Sequence, residues 1–314
     1  MSVSHPVIAI TGSSGAGTST IRDAFAEIFL REGINAAFID GDSFLRYDRE
    51  DMAIAIEEAN REGHPISHFG PETNRFDLLE KLFKQYGESA TGQVRQYVRE
   101  DTQALHNQAA GTFTNETDIP DNTDLLIYEG LHGGVISRTW TRRSMSSSHN
   151  PVVVERRNQK NSHKGVDVAQ YVDFLIGVVP VVNLEWIQKI HRDSKIKGVA
   201  AEEVTTTILR RLQDYIYFMT PQFSVTDINF QRVPLVDTSN PFSAMDVPLP
   251  EESMLVVRFR DPEKYPLNTF LEKFDNAFMS RPNTLVIPGG KLRMALEVIC
   301  TQRIQELVAA SKQI

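Results

Sequence analysis

The chain has 314 residues, 41% of them hydrophobic and 24% charged, which is enough apolar material for a substantial core in one large or two modest domains. A net charge of -8 gives no support for nucleic-acid binding, so a phosphate ligand needs locally focused basic groups. The single cysteine, Cys300, excludes an intrachain disulfide and reads as core filler in an apolar helical pattern.

Val7-Ile8-Ala9-Ile10 reads as a buried strand. The glycine-rich turn Gly12-Ser13-Ser14-Gly15-Ala16-Gly17-Thr18-Ser19-Thr20 follows it. A helical pattern starts at Thr20, with Ile21, Ala24, Phe25, Ile28 and Phe29 on one face. Strand, turn and helix N-terminus together predict a phosphate-binding loop, where backbone N–H groups converge and the helix dipole favours negative charge. The spacing matches the triphosphate pattern except that Thr18 stands where a lysine is usual; Ser19 remains as the magnesium ligand. No secretory h-region precedes the first strand, and the longest apolar run, residues 174–182, is too short to cross a membrane. A cytoplasmic protein without membrane or nucleic-acid partners is expected.

Residues 35–39 predict a second strand ending at Asp40-Gly41-Asp42-Ser43, where open α/β sheets bind ligands. Asp42 is the leading general base for an acceptor hydroxyl, and Asp40 competes with it. A helix over Arg49 to Arg61 places Met52, Ile56 and Ala59 inward. In the polar connection over 64–74, His64 and His68 are i,i+4, but Gly63 and Pro65 break the helix that a metal pair would need. Residues 77–86 read as a helix and 112–123 as a loop. Leu125-Leu126-Ile127-Tyr128 is a strand ending at Glu129-Gly130, whose carboxylate can orient magnesium or its waters. Residues 138–165 carry seven Arg/Lys against one Glu and read as an exposed basic loop.

Residues 174–179 form a further buried strand closed by Pro180, and the next helix reaches His191-Arg192-Asp193. Lys189, Arg192 and Lys197 can cluster near its end, a grouping suited to phosphate recognition or charge neutralisation. A long helix over 201–217 carries Arg210 and Arg211. Strands over 229–236, 255–259 and 284–287 and a helix over 292–308 complete the pattern. The alternation predicts an α/β sheet with helices on both faces, becoming mixed at its edge.

Several strings are more specific than the loop. They are Gly12 to Thr20; Tyr128-Glu129-Gly130-Leu131-His132-Gly133-Gly134; the run from Gly177 to Asp193; the run from Pro221 to Arg232; and Val236-Asp237-Thr238-Ser239-Asn240-Pro241-Phe242. Over nearly its whole length the chain resembles the phosphoribulokinase family, bacterial branch. The resemblance implies a single P-loop kinase domain over 1–314 with a mixed central sheet flanked by helices. Residues 138–165 are then an insertion. It implies magnesium- and ATP-dependent phosphorylation of D-ribulose 5-phosphate at the C1 hydroxyl, giving ribulose 1,5-bisphosphate and ADP, a Calvin-cycle reaction that serves carbon fixation only where a downstream enzyme consumes the product. Asp42 is then the base, and Asp193 a second essential carboxylate on the metal side with Ser19 and Glu129. Lys189 is the active-site lysine that offsets Thr18. Arg49, Arg192 and Arg211 match substrate-binding or activity positions, and Lys197 replaces an arginine. Arg31 matches a regulatory position in a branch activated by NADH, inhibited by AMP and assembled as large homo-oligomers, commonly octamers. Leu45 and Arg99 stand where the family usually has histidine. A kinase for another phosphosugar or nucleoside is the alternative that Leu45 motivates. A non-catalytic nucleotide sensor or assembly protein is the other, and the retained Asp42, Glu129 and Asp193 argue against it.

Overall fold

The computed structural model describes residues 4–12, 18–63, 65–136, 166–196, 198–242 and 246–313. The basic insertion over 138–165, Ser13 to Gly17 and Lys197 lie outside them. The apolar runs form strands Val7–Gly12 (β1), Ala36–Asp40 (β2), Leu125–Gly130 (β5) and Phe174–Val178 (β6). Further along come Ile228–Pro234 (β7), Ser253–Phe259 (β8), Phe278–Arg281 (β9) and Thr284–Pro288 (β10). These eight make one sheet in the order β2-β5-β1-β6-β7-β8-β10-β9. The first five strands pair in parallel and the last three antiparallel, so the sheet is mixed as expected.

The burial pattern explains the division. Every residue of β1 and β6 is buried, as parallel strands covered on both faces require. In β8, exposed or half-buried positions alternate with buried ones, the mark of a strand with one solvated face. On one face, Ile8, Ile10, Ile127 and Ile176 pack against Ile21, Phe25 and Ile28 of helix Thr18–Glu32 (α1), together with Leu296, Ile299, Cys300 and Ile304 of helix Leu292–Ser311 (α8). On the other, Val7, Ala9, Leu126, Tyr128 and Leu175 meet Leu79, Phe83 and Tyr86 of helix Phe76–Ser89 (α3). Each such large side chain contributes about 1.5–3 kcal/mol by leaving water, before the opposing chain entropy. Cys300 is fully buried, which pushes its thiol up, and it serves as core filler.

Helix Arg49–Arg61 (α2) has the predicted bounds and starts at an Asp48 side-chain cap. α1 begins two residues before the predicted Thr20. Within the loop expected over 112–123, Thr117–Asp118 (β4) pairs antiparallel with Gln93–Val94 (β3). Helices Gln103–His106 (α4) and Leu267–Lys273 (α7) and strand β9 are also new, each too short for periodicity to register. Helix Val182–His191 (α5) continues into a π-helical turn over Arg192–Ile196, and helix Ala201–Asp214 (α6) into another over Tyr215–Met219.

Candidate active site

The parallel strands end on one edge of the sheet, and the predicted chemistry collects there. β2 runs into a 3-10 turn, Gly41–Phe44, in which Asp40 Oδ1 accepts the Asp42 N–H at 2.9 Å. Glycine at 41 is needed because a Cβ would come within 2.7 Å of both the Gly130 Cα and the Tyr128 hydroxyl. This approach sets the two aspartates beside β5, where Asp40 lies in register with Glu129. Burial first, then the Asp42 charge, pushes Asp40 above the ordinary carboxylate range. Arg99 opposes that rise. Its Nη2 lies 2.8 Å from Asp40 Oδ2 and 2.7 Å from Asp42 Oδ2. Burial works against the Arg99 charge, but the two carboxylates hold its proton more firmly than usual. Arg49 opens α2 and pairs with Glu100 at 2.6 Å.

A second cluster gathers where α5 passes into the π turn. The wider turn re-aims its side chains. Asp193 there receives Lys189 Nζ at 2.5 Å and Arg192 Nε at 3.1 Å. Burial opposes the Asp193 charge, yet Lys189 and Arg192 hold its carboxyl below the usual range; burial lowers Lys189 despite that partner. α6 adds Arg210 and Arg211. Among the described residues, the Nε atoms of both, Ser194 Oγ and His68 Nδ1 are buried without a hydrogen-bond partner. Burial, then Arg210, pulls Arg211 down. His68 is lowered to about 4, by burial first and then by Arg211, with Asp42 opposing and Lys189 and Arg210 adding to the depression. His68 therefore stands under the influence of both clusters. Its neighbour Ser67 donates to Asp214 Oδ2 at 2.9 Å, which ties this connection to α6.

Buried donors without acceptors are costly, and a multi-oxygen anion satisfies several of them at once. The second cluster thus fits phosphate. The β1 end fits a phosphate loop: a Cβ on Gly12 would lie 2.7 Å from the Val178 carbonyl oxygen, so only glycine leaves β1 there, and α1 begins at Thr18. Of that loop, Gly12 is in place, Thr18, Ser19 and Thr20 form the first turn of α1, and Ser13, Ser14, Gly15, Ala16 and Gly17 lie outside the described residues. Among the described residues no group of three or more His, Cys, Asp or Glu could hold a metal. Magnesium in such sites takes one or two protein oxygens and completes its shell with phosphate and water, so a kinase site needs no such group. Asp193, the other expected metal-side carboxylate, is the one that pairs with Lys189 and Arg192.

Arg31 is remote from both clusters; it pairs with Glu32 and, at 3.6 Å, with Glu297 of α8. Sequence reasoning missed Gln222. Its Oε1 accepts Thr11 Oγ1 at 3.1 Å and the Gly134 N–H at 2.9 Å, while its Nε2 donates to Leu131 O and Phe218 O. That one amide joins β1, the turn after β5 and the segment leaving α6. The only sequence signal was its place inside one of the specific strings.

The profile of the phosphoribulokinase / uridine kinase family matches residues 7–239. The chain belongs to this family. It is 47% identical over 311 residues to a phosphoribulokinase of Nitrobacter vulgaris, covering 98% of each chain. It is 46% identical over 313 residues to a probable phosphoribulokinase of Escherichia coli, covering 99% of each. A solved phosphoribulokinase from Rhodobacter spheroides superposes with a TM-score of 0.83 at 42% identity, over 98% of this chain and 99% of that one. The chain thus shares the P-loop kinase fold, with its mixed central sheet, with that phosphoribulokinase.

Proposed function

We propose that the chain phosphorylates D-ribulose 5-phosphate at its C1 hydroxyl with ATP, giving D-ribulose 1,5-bisphosphate and ADP. The observation that carries this reading is the pairing of two unlike clusters on one sheet edge in a chain so similar to phosphoribulokinases. Asp42 takes the hydroxyl proton as its oxygen attacks the terminal phosphorus. Lys189 and Arg192, fixed by Asp193, face the charge that the Thr18 loop lacks a lysine to meet. Arg49, Arg192, Arg211 and Lys197 bind the phosphosugar. Ser19, Glu129 and Asp193 would hold magnesium, which when bound would supply positive charge toward the phosphates.

In the same reading the chain works in the cytoplasm as a homo-oligomer, an octamer, with NADH as activator and AMP as inhibitor acting through Arg31. Leu30, beside Arg31, is 84% exposed and supports an interface there. No helix among the described residues is long and apolar enough to cross a membrane. A second reading, a different phosphosugar, is favoured by Leu45, which is buried and bridges to Asn74 where the family's usual histidine is lost. ADP release by purified protein with ribulose 5-phosphate, other phosphosugars and uridine separates the two. Ribulose 5-phosphate gives the highest kcat/KM; turnover confined to another acceptor overturns the assignment.

A further inference from the structure

Asp42 has two oxygens in different situations. Oδ2 accepts from Arg99 Nη2 at 2.7 Å, while Oδ1 has no hydrogen-bond partner among the described residues. The same Nη2 reaches Asp40 Oδ2 at 2.8 Å, so one nitrogen spans both carboxylates. Without it, two like charges next to each other on a short turn repel, and Asp42, whose side chain lacks the backbone N–H that Asp40 Oδ1 accepts, is the freer to rotate away.

Arg99 is also better anchored than a surface arginine. Its backbone N–H donates to Thr102 Oγ1 at 2.9 Å. The preceding Val98 is tied by its N–H to Thr112 O at 2.9 Å and by its O to the Gly111 N–H at 2.7 Å. The ring of Tyr97 packs edge-on against Phe113 at 5.4 Å. Gly111 O in turn accepts the Arg49 N–H at 2.9 Å, and Glu100 holds the Arg49 side chain. One strap therefore sets the base through Arg99 and a substrate-side cation through Glu100.

We infer that Arg99 is a positioning residue, whose guanidinium pins the Asp42 carboxylate through Oδ2 and leaves Oδ1 to receive the acceptor hydroxyl. This rests on the phosphoryl transfer proposed above. A base held in one rotamer meets the hydroxyl at hydrogen-bond distance more of the time, and the gain falls on kcat with the acceptor.

The test is a double-mutant cycle of Arg99→Met with Asp42→Asn, read in two ways. In kinetics, Arg99→Met lowers kcat about 10–100-fold and leaves the KM for ATP within about twofold. In the Asp42→Asn background the same change moves kcat by less than about threefold, because there is no base left to aim. Arg99→Lys keeps a charge without the guanidinium's reach, loses less than Arg99→Met, and replaces it in the cycle should the methionine variant fail to fold. In thermal unfolding without acceptor, the two substitutions together shift Tm by less than the sum of their separate shifts. Losses that multiply, additive Tm shifts, or a rise in phosphosugar KM at unchanged kcat would each overturn the inference. A wild type inactive on ribulose 5-phosphate refutes the activity reading instead, and the thermal cycle then still decides whether the pin exists.

Discussion

The two halves of the site are charged in opposite senses and prepared in opposite ways. At the end of β2, Asp40 and Asp42 already have their counter-ion in Arg99, and the groups stand partly open to solvent. Around α5 and α6 the cations are more deeply set, and donor atoms of Arg210, Arg211 and Ser194 are left without acceptors. The first half is complete in the free protein. The second keeps, among the described residues, buried donors that an anion would satisfy. A site that must align a hydroxyl and then receive phosphate charge needs this difference, since preorganised donors cost stability in the free state and repay it on binding.

Breaking the aspartate side gives the largest effect. Asp42→Asn is expected to lower kcat about 10³-fold or more while ATP still binds, checked by ADP release and by ATP titration. A variant that keeps more than about a tenth of the wild-type rate would move the base to another residue, Asp40 first.

On the cation side, Lys189→Met is expected to lower kcat about 10²–10³-fold, with Asp193→Asn close behind because it frees both Lys189 and Arg192. Steady-state kinetics with both substrates varied distinguishes this from a binding loss. Arg211→Met sharpens the contrast between the halves. It is expected to raise a substrate KM about 10-fold while also raising the Tm of the free protein, because it removes a cation whose buried Nε has no acceptor. Thermal melts with and without ATP check the sign, and a lower Tm in the free protein would mean that Arg211 is a structural ion-pair member.

The smallest effect is in acid. His68 is lowered to about 4 in the folded chain against 6.5 unfolded, so the unfolded state binds the extra proton first as pH falls. Its contribution is fully present above about 6.5 and is lost as pH falls toward about 4. Urea unfolding of His68→Gln is expected to show a flatter pH dependence than wild type across that window.

The parallel half of the fold was legible because its strands are unbroken apolar runs and its helices show a clear inward face. The strand and the helix that bracket the expected phosphate loop were legible from spacing, while Ser13 to Gly17 between them lie outside the described residues. Asp42 and Glu129 stood out as carboxylates closing such runs. What escaped depends on distance along the chain. Thr11 and Gln222 meet across a separation of 211 residues, and Ser67 meets Asp214 across 147. Lys189 and Asp193 are an i,i+4 pair that a helical period does register, but it does not register the π turn after His191 that carries Asp193. His68 was weighed only against His64 as a metal pair, whereas burial first, and then charges on α6, the turn after β2 and α5, set its lowered pKa. Arg99 registered as a departure from a family position; its hold on Asp42 needed the fold.

The central claim is that the buried donors beside Lys189 are kept for phosphate. The most direct measurement is an NMR titration of the His68 imidazole in wild-type protein, alone and with magnesium plus a non-hydrolysable ATP analogue and ribulose 5-phosphate. The account predicts a pKa near 4 in the free protein, rising by about one unit or more when phosphate charge enters among Arg210, Arg211 and Lys189. A pKa unchanged at saturating ligand would contradict it.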